Sequence, residues 1–223
     1  MGNNIKGIIP STHVDIAWKK DADEMSELFE VVILRLTDLL EQNKDLTYIL
    51  EQAYHFRALA KRRPDLIEKI KKYLAEGRLE VVGGMASTTD TNFPNGENLI
   101  RNFLLGKKWF AEHLNAKIKC GWFIDTFGIN AQVPQLIKLF GLEYLFANRL
   151  GADKINSRFL SRGIDGTMLP VIGKDIHTAK ALDDGMYWRF VQEWDSVRDL
   201  TKEALESSWD KGFKLFMPYT ENE

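Results

Sequence analysis

Gly121-Trp122-Phe123-Ile124-Asp125-Thr126-Phe127-Gly128 is the stretch on which the fold of this chain turns. From Lys119 to Ile124 the residues are mostly apolar and β-prone, with bulky Trp and Phe side chains, which predicts a buried strand. That strand delivers one carboxylate, Asp125, at its C-terminal end. Phe127-Gly128 then makes a turn, and Ala131 to Phe140 follows with helical spacing. In parallel α/β folds ligands gather where loops leave the carboxyl ends of the strands. A single Asp at a strand end can equally cap a helix or form a turn, so its meaning depends on what the other strand ends carry.

Outward from this stretch the same alternation recurs. Lys6–Pro10, Leu46–Leu50, Leu79–Val82, Tyr144–Ala147, Thr167–Ile172 and Lys214–Met217 predict six further strands. Between them, Glu24–Asn43 places Leu28, Val31, Val32, Leu36, Leu39 and Leu40 at helical intervals. Tyr54–Glu76 is helical with an interruption near Pro64 and a Gly77 C-cap, and Gly96–Leu114 and Asp195–Trp209 are helical too. The weakest pattern lies between Gly151 and Gly185. This order predicts a mostly parallel sheet, open or curled into a barrel. His13 and Asp15, Glu51, Asp90, Asp125, Arg149 and Glu221 each fall just after a predicted strand, so parallel strands would bring them to one rim.

Composition narrows the function classes. With 30 basic and 32 acidic residues, the net charge of −2 implies no nucleic-acid partner. One cysteine, Cys120, excludes an intrachain disulfide and suits a reducing cytoplasm. No apolar run approaches the ~18 residues of a membrane span, and the N-terminus lacks a signal-peptide core. Without repeats or Pro/Gly-rich linkers, the expectation is a single α/β domain over residues 1–223.

The His13-Val14-Asp15 spacing points both polar side chains to one side of an extended segment. Imidazole nitrogen and carboxylate oxygen are zinc ligands, and Asp125 could add another oxygen. The alternative is a capped turn with a hydrogen-bonded histidine. Trp18 offers a flat apolar face, which suits the C–H face of a sugar as well as it suits core packing.

Three blocks resemble the N-terminal catalytic domain of glycoside hydrolase family 38, the zinc-dependent α-mannosidases. They are Pro10-Ser11-Thr12-His13-Val14-Asp15-Ile16-Ala17-Trp18, then Gly77 to Met85 continuing through Asp90, Asn92, Pro94, Gly96 and Glu97, and finally Gly121 to Gly128. The resemblance implies that His13, Asp15 and Asp125 bind zinc, and that Asp125 is also the nucleophile of a retaining mechanism. It implies substrate contacts from Asp90 and Arg149 and stacking by Trp18. The fold expectation becomes a mostly parallel sheet curled into an irregular seven-stranded β/α barrel with helices packed around it. The general acid is expected near the chain's end, where Asn222 stands in place of the usual Asp and Glu221 takes the role. Ser11 replaces a second histidine, and Ile129-Asn130 replaces His-Ser.

The family's fourth zinc ligand is a histidine beyond residue 223. The chain is therefore expected to be the N-terminal part of a longer cytoplasmic glycosidase, inactive by itself, partnered by C-terminal domains of the same polypeptide and acting on a small mannose-containing saccharide. A homo-oligomer is compatible with these features. Two other readings remain open here: a catalytically decayed carbohydrate-binding relative, and a metal-dependent carbohydrate deacetylase, which would want a further histidine pair. His55 and His113, on predicted helices, are expected to be surface or packing residues.

Overall fold

The computed structural model of the chain describes residues 7–8, 10–18, 20–147, 158–173, 186–187, 215–216 and 219–221. Its strands are β1 (Gly7–Ile8), β2 (Ser11–His13), β3 (Tyr48–Leu50), β4 (Leu79–Val81), β5 (Cys120–Phe123), β6 (Tyr144–Ala147), β7 (Arg158–Arg162), β8 (Met168–Gly173), β9 (Met186–Tyr187), β10 (Leu215–Phe216) and β11 (Tyr219–Glu221). The helices are α1 (Ala22–Gln42), α2 (Ala53–Arg62), α3 (Pro64–Ala75), α4 (Gly96–Leu114) and α5 (Val133–Leu139).

Strand order is β1-β10-β9 in one sheet, β11-β2-β3-β4 in a second and β5-β6-β8-β7 in a third. Every pairing is parallel except the β7–β8 hairpin. The Gly83 N–H donates to the Cys120 carbonyl at 2.8 Å, so the edge after β4 meets the start of β5. The expected seven-stranded barrel is not met by these pairings. Among the described residues the sheets have three and four strands and do not close, because antiparallel β7 ends one sheet and β9 another.

Alternation along the strands builds two cores. Leu50, Val81, Phe123, Leu145, Ala147 and Val171 face the helices and join Phe29, Leu36, Phe56, Tyr73 and Phe110 in the larger cluster. Their neighbours Ile49, Val82, Cys120, Trp122, Ile124 and Phe146 form a smaller cluster on the opposite face. Both faces of the sheet are therefore buried, as parallel sheets require. Each fully buried Leu or Phe contributes roughly 1.5–3 kcal/mol of transfer free energy.

Local chemistry sets the boundaries. Asp21 caps α1 with a reciprocal box: its carboxylate accepts from the Asp23 and Glu24 amides at 3.0 and 2.9 Å, and Glu24 accepts from the Asp21 amide at 3.2 Å. At the other end, Arg78 donates to the Leu40 and Asn43 carbonyls and satisfies the last turn. Pro64 begins α3 and separates it from α2. Gly106 lets α4 touch the chain after β4, since a Cβ there would lie 2.3 Å from the Met85 carbonyl carbon. Asn102, on the same helix, accepts from the Ser87 amide at 3.0 Å and donates to the Ser87 carbonyl at 2.7 Å.

The predicted strand Lys6–Pro10 holds only β1, and a second short strand, β2, begins at Ser11, directly after Pro10, which has no N–H to donate; His13 therefore lies inside a strand rather than after one. Likewise Glu221 lies inside β11, paired in register with His13. The hairpin strand β7 has no counterpart among the predicted strands. The helix expected over Asp195–Trp209 lies outside the described residues.

Candidate active site

His13, at the end of β2, and Asp15, two residues on, meet Asp125 just beyond β5. One ligand atom from each lies within 4.8 Å of the others. Two distant segments of the chain thus bring one imidazole and two carboxyl groups to a single point. Asp125 sits at φ 56°, in the left-handed region that Asp tolerates better than most residues. Such backbone strain costs on the order of 1–3 kcal/mol and tends to be kept where a side chain must be aimed.

Glu51, the first residue after β3, completes the surroundings of His13. Its Oε1 accepts from His13 Nδ1 at 2.5 Å, which leaves Nε2 facing Asp15 Oδ1 at 3.5 Å. Burial pulls the imidazole's pKa down, but Glu51 and Asp15 outweigh it and hold His13 at about 10. Burial likewise raises the Glu51 carboxyl above its ordinary value against the pull of His13. Both directions keep a proton on the short Nδ1···Oε1 axis. The hydrogen bond to His13 holds Asp15 below the usual carboxylate range, although burial opposes it.

This donor set fits a divalent cation. Three carboxyl groups surround one imidazole, a combination short of positive charge, and Glu51 Oε2 is buried with no hydrogen-bond partner among the described residues. Glu51 fixes the tautomer that offers Nε2 as ligand, the usual outer partner of a metal-bound histidine. Nitrogen with carboxylate oxygens suits zinc among other ions.

The loop after β4 is clamped against the loop after β5. Thr91, 2% exposed, donates through its amide and its hydroxyl to the Gly128 carbonyl, both at 2.8 Å. Its hydroxyl also accepts from the Asn130 amide at 2.8 Å, and the Asn130 side chain donates to the Thr91 carbonyl. The clamp seats Asp90 beside Gly128, where a Cβ would come within 2.0 Å of Asp90 Oδ1. Asp90 also accepts from the Asn92 amide at 2.8 Å. Asn130 thus has a structural task at a position where the sequence departs from its resemblance.

The other expected residues differ in what can be said. Trp18 is 67% exposed, so it does not pack in the core formed by the described residues. Phe127 is exposed as well. Arg149 lies outside the described residues, and of Glu221 only the backbone register opposite His13 is described. His113 stacks on Trp109 at 4.7 Å on the surface, as expected. His55 is more than packing. It is 1% exposed, burial lowers its pKa to about 4, and Nε2 donates to the Val14 and Asp15 carbonyls at 3.0 and 3.1 Å. Gln52, with φ 57°, donates to the same Val14 carbonyl at 3.1 Å and accepts from the Thr88 amide at 3.1 Å. The one sequence signal for this pair is their i, i+3 spacing directly after a strand end.

Comparison with known proteins gives a consistent neighbourhood. The family described as Glycosyl hydrolases family 38 N-terminal domain matches residues 6–171. An alpha-mannosidase of Saccharomyces cerevisiae is 31% identical over 171 residues, covering 74% of this chain and 16% of its own length. Alpha-mannosidase G of Dictyostelium discoideum is 31% identical over 163 residues, covering 70% of this chain and 15% of its own. The chain therefore spans about a sixth of the length of these relatives. Among solved structures, an alpha-mannosidase from Enterococcus faecalis V583 superposes with a TM-score of 0.74 at 22% identity, covering 97% of this chain and 25% of that one.

Proposed function

Because the chain belongs to glycosyl hydrolase family 38, matching that family's N-terminal domain over residues 6–171, we propose that it forms the catalytic face of a zinc-dependent, retaining α-mannosidase. The observation that carries this reading is the meeting of His13, Asp15 and Asp125 within 4.8 Å. His13 through Nε2, and Asp15 and Asp125 each through a carboxylate oxygen, would hold the ion, with a fourth ligand from beyond this chain. When bound, the zinc supplies a Lewis-acid anchor for sugar hydroxyls.

The chain's own groups do the rest. Asp125 attacks the anomeric carbon as the glycosidic bond breaks, and Glu221 gives its proton to the departing oxygen. Glu221 then takes a proton from the water that releases the sugar from Asp125, so the configuration is retained. Retention requires the two carboxyl groups to stand roughly 5–5.5 Å apart. Glu51 keeps the Nδ1 proton and so fixes the ring of His13. Asp90 and Arg149 bind sugar hydroxyls, and Trp18 presents its exposed face to the ring's C–H groups.

The substrate is a small mannose-containing saccharide met in the cytoplasm, and the domain works with C-terminal domains of a longer polypeptide. No helix among the described residues is long and apolar enough to cross a membrane. The finer architecture is an irregular β/α barrel, a reading supported by the second apolar cluster on the face away from the helices. A deacetylase finds less support: among the described residues no second histidine joins the cluster, and His55 is committed to backbone carbonyls.

The test uses the full-length polypeptide with an aryl α-mannoside. One zinc per chain, turnover abolished by Asp125→Asn and a product of retained anomeric configuration are expected. Turnover that survives Asp125→Asn, or an inverted product, rejects the mechanism. Measurable turnover by the 223-residue chain alone rejects its dependence on further domains.

A further inference from the structure

Asp15 poses a positioning problem. Among the described residues the hydrogen bond of its carboxylate to His13 Nε2 is long, at 3.5 Å, and orients it weakly. Most of its direction comes from its own backbone. Both peptide planes that flank its Cα are held by side chains from the start of α2. The Val14 carbonyl accepts from Gln52 Nε2 at 3.1 Å and from His55 Nε2 at 3.0 Å, which uses both of its lone pairs. The Asp15 carbonyl accepts from His55 Nε2 at 3.1 Å. Holding the peptides before and after a residue fixes its φ and ψ, and with them the direction of its Cα–Cβ bond.

We propose that Gln52 and His55 are positioning residues that aim the Asp15 carboxylate at the metal shared with His13 and Asp125. The inference rests on the metal-centre reading above and extends it to groups that touch neither metal nor substrate.

The surroundings of each residue fit this task better than simple packing. The His55 ring stacks on Phe29 at a centroid distance of 5.2 Å and meets the edge of Tyr54 at 5.5 Å, contacts that any aromatic ring could make. Beyond them, the Val14 and Asp15 carbonyls can only accept and so place the ring hydrogen on Nε2, while Nδ1 lies 3.3 Å from Ser26 Oγ on α1, whose hydroxyl donates to the Ala22 carbonyl at 2.8 Å. Gln52 occupies a positive-φ backbone conformation, φ 57°, that few residues other than glycine and asparagine adopt, a cost kept for a residue whose two ends are both engaged. Its Oε1 accepts from the Thr88 amide at 3.1 Å, so one side chain ties the segment carrying His13 and Asp15 to the segment carrying Asp90.

The experiment titrates cobalt(II) into the metal-free full-length protein, reading visible absorption for affinity and coordination, with thermal unfolding as a control. His55→Phe keeps the stacking and removes the donor; Gln52→Leu removes both hydrogen bonds. Each is expected to weaken cobalt binding about tenfold, at the lower end for outer-shell partners, and to change the visible spectrum while unfolding stays cooperative. His55→Gln restores a donor and is expected to regain most of the affinity. Unchanged affinity and spectrum in His55→Phe and Gln52→Leu overturn the proposal, as does a His55→Gln variant no better than His55→Phe. Should His55→Phe fail to fold, Gln52→Glu gives the same reading, because it keeps the acceptor for Thr88 and loses the donor to Val14. Wild-type protein that takes up no cobalt rejects the metal centre itself, a result distinct from wild-type binding with indifferent variants.

Discussion

A short hydrogen bond of 2.5 Å joins His13 Nδ1 to Glu51 Oε1 in a setting buried from water, and this pair governs which imidazole nitrogen faces Asp15. Glu51→Gln keeps an oxygen toward Nδ1 but removes the charge that holds the proton there. Metal affinity is expected to fall roughly 10–100-fold with the fold intact, measured by calorimetric titration; an unchanged affinity would show that the pair is only structural. Cys120 offers a contrasting case. Burial pushes its thiol up to about 12, so the thiolate is scarce at neutral pH and its population grows only as pH rises toward that value. The native chain is expected to resist an aromatic disulfide reagent at pH 8 and to react promptly once unfolded. Fast reaction of the native thiol would contradict its burial.

At the scale of elements, the loops after β2, β4 and β5 bear the site, and each is tied to a neighbour. Gly128 is the tightest of these ties. Gly128→Ala would drive a methyl into Asp90 and Asn92, so the clamp made by Thr91 and Asn130 must open. A loss of roughly 1–3 kcal/mol is expected from such overpacking, together with weaker substrate binding, both readable from denaturant unfolding and KM. A variant as stable and as tight as wild type would contradict the close approach. The capping box of α1 predicts a separate loss: Asp21→Ala should cost about 1 kcal/mol of stability while metal affinity stays the same.

These elements also show how far the sequence could be read. Tyr144–Ala147 and Gly96–Leu114 match their predicted bounds because apolar period and cap residues agree there. The position of Asp125 at a strand end follows from the same logic. His13 could not be placed inside a strand from pattern alone, since Pro10 hides the restart of the ladder. Strand β7 could not be found either: Arg158–Arg162 is polar at both ends and owes its conformation to pairing with β8. His55 was legible only as a helix residue and Gln52 only as a residue at the end of a strand, because what distinguishes them is which backbone carbonyls they reach.

For the whole molecule, the sheet brings together residues separated by most of the chain. β11, near the C-terminal end, pairs with β2, near the N-terminal end, setting Glu221 beside His13 in register. A cation bound between β2 and β5 would bridge both halves of the sheet and so oppose global unfolding. At a free concentration a hundredfold above the dissociation constant, that linkage adds about 2.7 kcal/mol, which predicts a higher Tm in zinc than in chelator. Equal melting in the two conditions would argue that no ion joins the halves. The most direct test is anomalous diffraction at the zinc edge from crystals grown with zinc. The account predicts one strong peak bonded to His13 Nε2 and to carboxylate oxygens of Asp15 and Asp125. A peak bound elsewhere, or none at this point with zinc in excess, would contradict it.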